Sequence, residues 1–193
     1  GFIKTGIFGI ARVFKVLCEN GQEEEVYRLL TKTGNRSFAF MWDHYKATTL
    51  WETLPVTDDY PDAYRGSHSH PMQAGFNAWF YSGIAGINPS EDMPGFGKIV
   101  FRPYLTAYLE SASASYESRF GTIESSWQCE SDRFTWNISI PENTRGLIQV
   151  PLYGRGAEIL LNGEPVEASD LEDGFGLLGE YAPGDYTIEI TYQ

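Results

Sequence analysis

Cysteine, histidine and methionine are scarce in this sequence of 193 residues, which holds two, three and three of them. Two cysteines build neither a disulfide framework nor a four-thiolate zinc site, so Cys18 and Cys129 read as free thiols. Basic residues are also few. Fourteen Lys and Arg face 26 Asp and Glu, a net charge of −12. Nucleic acids and anionic membrane surfaces need Lys and Arg against their phosphates, so neither is expected as a partner. No apolar run approaches the ~20 residues of a membrane-spanning helix, and the first residues do not read as a signal peptide. A phosphate-binding glycine loop, a nucleophile elbow and a Cys-x-x-Cys pair are missing. Gly95-Phe96-Gly97 precedes a strand, whereas a phosphate loop follows one. No cofactor and no metal is expected. The sequence opens on Gly1-Phe2 without an initiator Met, and the expectation is that an upstream segment belongs with it.

What is present is ordinary globular material, 42% hydrophobic and 21% charged, with an aromatic content of 15%. Aromatic residues fill cores, and they also stack on sugars. The two halves differ. Residues 1–95 hold 8 basic and 11 acidic side chains, whereas residues 96–193 hold 6 and 15. Ile3, Ile7, Ile10, Phe14 and Leu17 recur at helical spacing, and Phe2, Phe8, Val13 and Val16 widen the apolar face. A helix buried on most of its sides is expected. Asn20-Gly21 ends it, and Gln22–Lys32 reads as a second helix with acids first and bases last. Between Pro55 and Gly66 a polar loop carries Asp58, Asp59, Pro61 and Asp62. A third long helix is predicted from Ser69 to Gly86, with Pro71 in its first turn.

After residue 95 the period changes to that of strands. Lys98–Arg102, Thr122–Cys129, Phe134–Ile140, Leu147–Val150, Glu158–Leu161 and Tyr186–Tyr192 are short β-type runs between Pro and Gly punctuation. Their spacing predicts an antiparallel β-sandwich. Phe134, Trp127 and Trp136 read as its core. Asp170, Glu172 and Asp173 lack the spacing of a calcium loop. The helices of residues 1–95 are apolar on broad faces with too few partners, which implies the end of a larger helical domain.

Three clusters could carry chemistry. Glu52, in Thr48-Thr49-Leu50-Trp51-Glu52, is a carboxylate beside a tryptophan between helices, placed as a general acid or base would be; it also reads as a solvated loop acid. Ser67-His68-Ser69-His70-Pro71 puts His70 at a helix start, where a neutral imidazole is favoured; capping is its plainer role. The His68 and His70 spacing does not suit zinc. Trp42-Asp43-His44-Tyr45 combines aromatic faces and polar groups as a sugar site does, or packs as a loop.

Several motifs together resemble a known family. They are Gly1-Phe2-Ile3 entering a helix, Asn20-Gly21, Tyr27-Arg28-Leu29-Leu30 and Ala47-Thr48-Thr49-Leu50-Trp51-Glu52. Ser69-His70-Pro71-Met72, Trp79-Phe80-Tyr81, Ala85-Gly86-Ile87, Pro94-Gly95-Phe96 and Ile99-Val100-Phe101-Arg102-Pro103 follow in order. Across roughly residues 1–130 the sequence is similar to bacterial α-L-rhamnosidases of glycoside hydrolase family 78. The resemblance implies the C-terminal part of an (α/α)6 barrel in residues 1–95, followed by a β-sandwich in residues 96–193. It implies hydrolysis of terminal α-L-rhamnosides with inversion, Glu52 acting as general base and His70 contacting the sugar. Trp51 and Trp42 are expected beside the pocket. The family's general acid lies in an upstream motif that nothing here matches. The implied partners are a rhamnose-containing glycoside or polysaccharide and the missing N-terminal part of the same protein. Two other readings stay open: a non-catalytic carbohydrate-binding or accessory module, and an (α/α)6-barrel glycosidase with another substrate.

Overall fold

The four-and-three spacing of the first apolar residues does form a helix, α1, over Gly6–Glu19. The structure, a computed structural model, describes residues 2–57, 66–171 and 173–193. Asp58, Asp59, Pro61 and Asp62 of the expected polar loop, and Glu172, lie outside them. The chain divides into two compact units, Gly1–Trp79 and Phe80–Gln193.

In the first unit α1 ends at the Asn20-Gly21 turn. Gly21 takes the left-handed conformation at φ +67. The N–H of Gln22 reaches back to the Leu17 carbonyl at 2.9 Å and that of Gly21 to Cys18 at 3.0 Å. This pair of bonds closes a helix whose last carbonyls would otherwise lack donors. Helix α2, Glu23–Thr31, starts with three glutamates, which suit the positive end of the helix dipole. The buried face of α1 is narrower than expected. Ile10, Phe14 and Cys18 are buried, but Phe8 is 78% and Val16 54% exposed. Among the described residues of this unit, α1 has neighbours along one stripe.

The third helix is not one regular element. The backbone is tightly wound over Pro71–Phe76, makes one α turn at Asn77–Trp79 and widens over Phe80–Ile84. Close packing accompanies the tight start. A side chain at Gly75 would lie 2.8 Å from the Ala11 Cβ of α1. The ring of Trp79 meets Phe14 edge-on at 5.9 Å, and its indole N–H donates to the Cys18 Sγ at 3.2 Å. Burial pushes the Cys18 thiol up to about 11, against the opposing pull of that indole. The folded state therefore holds its proton where the unfolded chain would lose it. Stability from this group is complete below pH 9 and declines as pH rises toward 11. Iodoacetamide at pH 8 is expected to leave Cys18 unmodified until denaturant is added, as mass spectrometry of digests would show.

In the second unit strands come earlier than the sequence predicts. They are β1 (Ile87–Pro89), β2 (Ile99–Phe101), β3 (Ser111–Ser118), β4 (Gly121–Glu130), β5 (Arg133–Ile140), β6 (Gly146–Pro151), β7 (Ala157–Leu161), β8 (Glu164–Val166), β9 (Ser169–Asp170), β10 (Phe175–Tyr181) and β11 (Gly184–Tyr192). One sheet has the order β1-β2-β6-β10-β9 and the other β3-β4-β5-β11-β7-β8. Ile87 pairs with Phe101, so residues assigned to the helical part from sequence already belong to a sheet. Pairing is antiparallel except between β2 and β6, which run parallel. That exception arises because the β3–β5 meander separates the two strands and builds the other sheet.

The core between them contains Phe101, Ile123, Trp127, Phe134, Trp136, Ile148, Val150 and Ile188. Trp127, Phe134 and Trp136 are thus core residues, as their strand positions predict. Each tryptophan N–H has an acceptor. That of Trp127 goes to the Ile84 carbonyl at 2.8 Å and that of Trp136 to the Ser125 hydroxyl at 2.9 Å. The buried Ser125 donates onward to the Ala85 carbonyl. Gly86, next in sequence, sits at φ +73, where a Cβ would lie 2.3 Å from the Pro103 nitrogen. Gly86→Ala is expected to cost about 2–3 kcal/mol by adding left-handed strain to a backbone clash, read as a lowered denaturation midpoint.

Candidate functional site

The site is built on two backbone segments of the first unit that lie side by side. The N–H of Glu52 donates to the Ser67 carbonyl at 2.9 Å, and that of His70 donates to the Leu50 carbonyl at 2.8 Å. The Thr49 hydroxyl adds a bond to the His68 carbonyl. These links fasten the Thr-Thr-Leu-Trp-Glu run to the Ser-His-Ser-His run. Two motifs separated in sequence therefore occupy one place.

The Glu52 carboxylate is half-buried. Its Oε2 accepts the Ser67 N–H at 3.1 Å. A backbone donor of this kind fixes the carboxylate's direction. Glu52 also lines a cleft of about 280 Å³, whose walls include Ile3, Lys4, Arg36, Leu54 and Gln73. Polar groups thus converge with Glu52 on one mostly apolar concavity, the usual shape of a small-ligand site.

The other expected residues have distinct places. Trp51 is 6% exposed. Its ring stacks on His68 at 4.2 Å and lies against Tyr45 at 5.5 Å. Packed between His68 and Tyr45, it presents little free face. His70 precedes the Pro71–Phe76 turn and accepts the Gln73 N–H on its carbonyl at 3.0 Å. Its Nδ1 is buried and has no hydrogen-bond partner among the described residues. Trp42 is 45% exposed, in a wide turn over Phe40–His44, and stacks on Phe38 at 5.6 Å. The walls of the Glu52 cleft do not include Trp42, Trp51 or His70. Sequence reading missed Gln73, which is 2% exposed with a buried, unpartnered Oε1. Its only sequence signal is a polar residue in the first turn of an apolar helix.

Among the described residues no group of three His, Cys, Asp or Glu could hold a metal ion. Asp173 is instead paired with Arg102 at 2.7 Å. No helix among the described residues is long and apolar enough to cross a membrane.

Comparison with known proteins bears on both units. Residues 1–84 match the model of the bacterial α-L-rhamnosidase 6-hairpin glycosidase domain, and residues 86–159 that of the bacterial α-L-rhamnosidase C-terminal domain. An α-L-rhamnosidase of Alteromonas sp. (strain LOR) is 31% identical over 143 residues, 73% of this chain and 15% of the relative. One from Streptomyces avermitilis is 29% identical over 152 residues, 77% of this chain and 14% of the relative. The chain therefore spans about one seventh of the length of these relatives. Among solved structures, an α-L-rhamnosidase from Dictyoglumus thermophilum superimposes with a TM-score of 0.85 at 28% identity, covering 98% of this chain and 21% of that one. The Streptomyces avermitilis α-L-rhamnosidase complexed with L-rhamnose gives 0.77 at 26% identity, covering 97% and 18%. In sequence and in fold, the chain belongs to the bacterial α-L-rhamnosidases, within the end of their six-hairpin domain and the β-sandwich that follows it.

Proposed function

We propose that the chain is part of a glycoside hydrolase that removes terminal α-L-rhamnosyl residues from a glycoside or polysaccharide with inversion. Glu52 is the general base. The observation that carries this reading is its position: a carboxylate held by the Ser67 N–H on the wall of a cleft, in a chain of rhamnosidase sequence and fold. A water between Glu52 and the anomeric carbon would give its proton to the carboxylate as its oxygen attacks that carbon. The bond to the leaving oxygen breaks on the opposite face, and that oxygen takes a proton from a second carboxylic acid. Inverting enzymes keep the two groups ~6.5–9.5 Å apart to leave room for the water. We assign the acid to a part of the barrel outside these 193 residues, so the chain works joined to that part. His70 is assigned to contact with the sugar, and Trp51 and Trp42 to its surroundings, beyond the cleft that Glu52 lines, since none of the three is on the walls of that cleft.

The test is hydrolysis of a nitrophenyl α-L-rhamnoside by the complete protein, followed by proton NMR. The first product is expected to be β-L-rhamnose, and the 193-residue chain alone is expected to give no turnover. Absence of hydrolysis by the complete protein, or retention at the anomeric carbon, overturns the reading. Sugar binding without turnover would instead support an accessory module.

A further inference from the structure

We infer that Gln73 is a further substrate-contacting residue, its amide taking a hydroxyl of the sugar that occupies the Glu52 cleft. This rests on the proposed rhamnosidase reading and extends it to a residue that the sequence motifs do not mark. Three observations carry it. Gln73 is 2% exposed, yet its Oε1 has no hydrogen-bond partner among the described residues. Buried polar atoms of native proteins are nearly always satisfied, so an orphan amide oxygen calls for a missing donor. Gln73 also shares the walls of the cleft with Glu52. Finally, its backbone is tied to the same ladder: its N–H donates to the carbonyl of His70, whose own N–H is bonded to Leu50, two residues before Glu52.

A ligand that meets Glu52 in the cleft is therefore within the neighbourhood of Gln73. The buried Oε1 accepts no hydrogen bond among the described residues, so turning the terminal amide toward that ligand breaks none at this atom. Its chemistry selects the partner. An amide offers an acceptor and two donors without charge, which matches a neutral ring carrying several hydroxyls. An O–H of the sugar donates to Oε1. The residue binds and orients the ring and takes no part in proton transfer.

The experiment uses the complete rhamnosidase with Gln73→Met, which keeps the length and removes the amide, and Gln73→Glu, which keeps the acceptor. The readouts are kcat and KM on a rhamnoside and on analogues each lacking one ring hydroxyl, with a melting temperature for each variant. Gln73→Met is expected to lower kcat/KM about tenfold, chiefly through KM, with an unchanged or higher melting temperature. Gln73→Glu is expected to recover most of that loss. One deoxy analogue is expected to react equally well with wild type and Gln73→Met, and it identifies the hydroxyl. A wild-type KM in Gln73→Met overturns the inference. So does a drop in melting temperature at unchanged KM, which would assign the amide to an upstream part of the barrel. Failure of the rhamnosidase reading itself shows separately, as absence of wild-type turnover. In that event calorimetric titration with L-rhamnose decides: a Kd weakened about tenfold by Gln73→Met supports the contact, and an equal Kd removes it.

Discussion

Glu52→Gln in the complete enzyme is expected to lower rhamnoside hydrolysis by about two to four orders of magnitude, the usual share of a general base. Most of the loss should lie in kcat. Glutamine has nearly the same shape and still accepts the Ser67 N–H on its carbonyl oxygen, so the local ladder should survive. What it lacks is a site for the proton of the attacking water. Added azide, a nucleophile that needs no deprotonation, is expected to restore part of the rate. Circular dichroism and an unchanged melting temperature would show that folding is intact. A variant that keeps more than about a tenth of wild-type kcat would remove Glu52 from the role of base. Glu52→Asp serves as a second probe. It keeps the charge and withdraws it along the side chain, so an intermediate rate is expected from loss of reach.

Trp136→Ala is expected to destabilise the sandwich by about 3–5 kcal/mol, the cost of deleting a fully buried aromatic ring. Trp136 has no exposed surface and lies 6.0 Å from Phe134 and 6.2 Å from Phe101, ring to ring. It sits on β5, opposite Trp127 of β4 and Ile188 of β11. Truncation would open a cavity at the middle of the six-stranded sheet and remove the indole donor from the Ser125 hydroxyl. For a chain of this size the shift in melting temperature is about 6–20 °C. Trp136→Phe separates the two contributions. It refills most of the volume and loses the hydrogen bond with a small residual cavity, so about 1–2 kcal/mol is expected. Equal losses in both variants would assign the cost to the hydrogen bond instead of the packing.

How far these features could be read from the sequence depends on how local their causes are. The α1–α2 hairpin was legible because Ile7, Ile10, Phe14 and Leu17 recur at helical spacing and Asn20-Gly21 marks the stop, although Cys18, which is buried, was not read as part of that stripe. Strands β4, β5 and β11 were legible because inward and outward residues alternate along them. Strand β3 was not. Ser111–Ser118 is rich in serine and alanine, and as an edge strand it buries little. Strand β10 was hidden by Gly176 and Gly179, the second lying at a break in register with β6. The irregular winding after Pro71 follows from tertiary packing of Gly75 on Ala11, which propensity does not encode. At the site, the Trp-Glu motif and the Ser-x-Ser-His motif were each visible. Their meeting was not, because it depends on backbone bonds between residues 15 to 20 positions apart. Gln73 went unnoticed for a related reason: a lone polar residue acquires meaning only once its burial is known.

Strand β11 comes last among the strands in sequence, yet it lies between β5 and β7 in its sheet. Ile188 and Ile190 on it are fully buried. The meander of β3, β4 and β5 can pair as soon as it leaves the ribosome. The sheet closes only when β11 emerges and enters the gap between β5 and β7. A stop codon before Gly184 would therefore remove a central strand of the sheet, leaving the facing edges of β5 and β7 unpaired. Such edges pair readily with other chains. Loss of β11 would thus be read in the cell as aggregation or degradation, and a neighbouring segment that hinders its arrival would have the same effect.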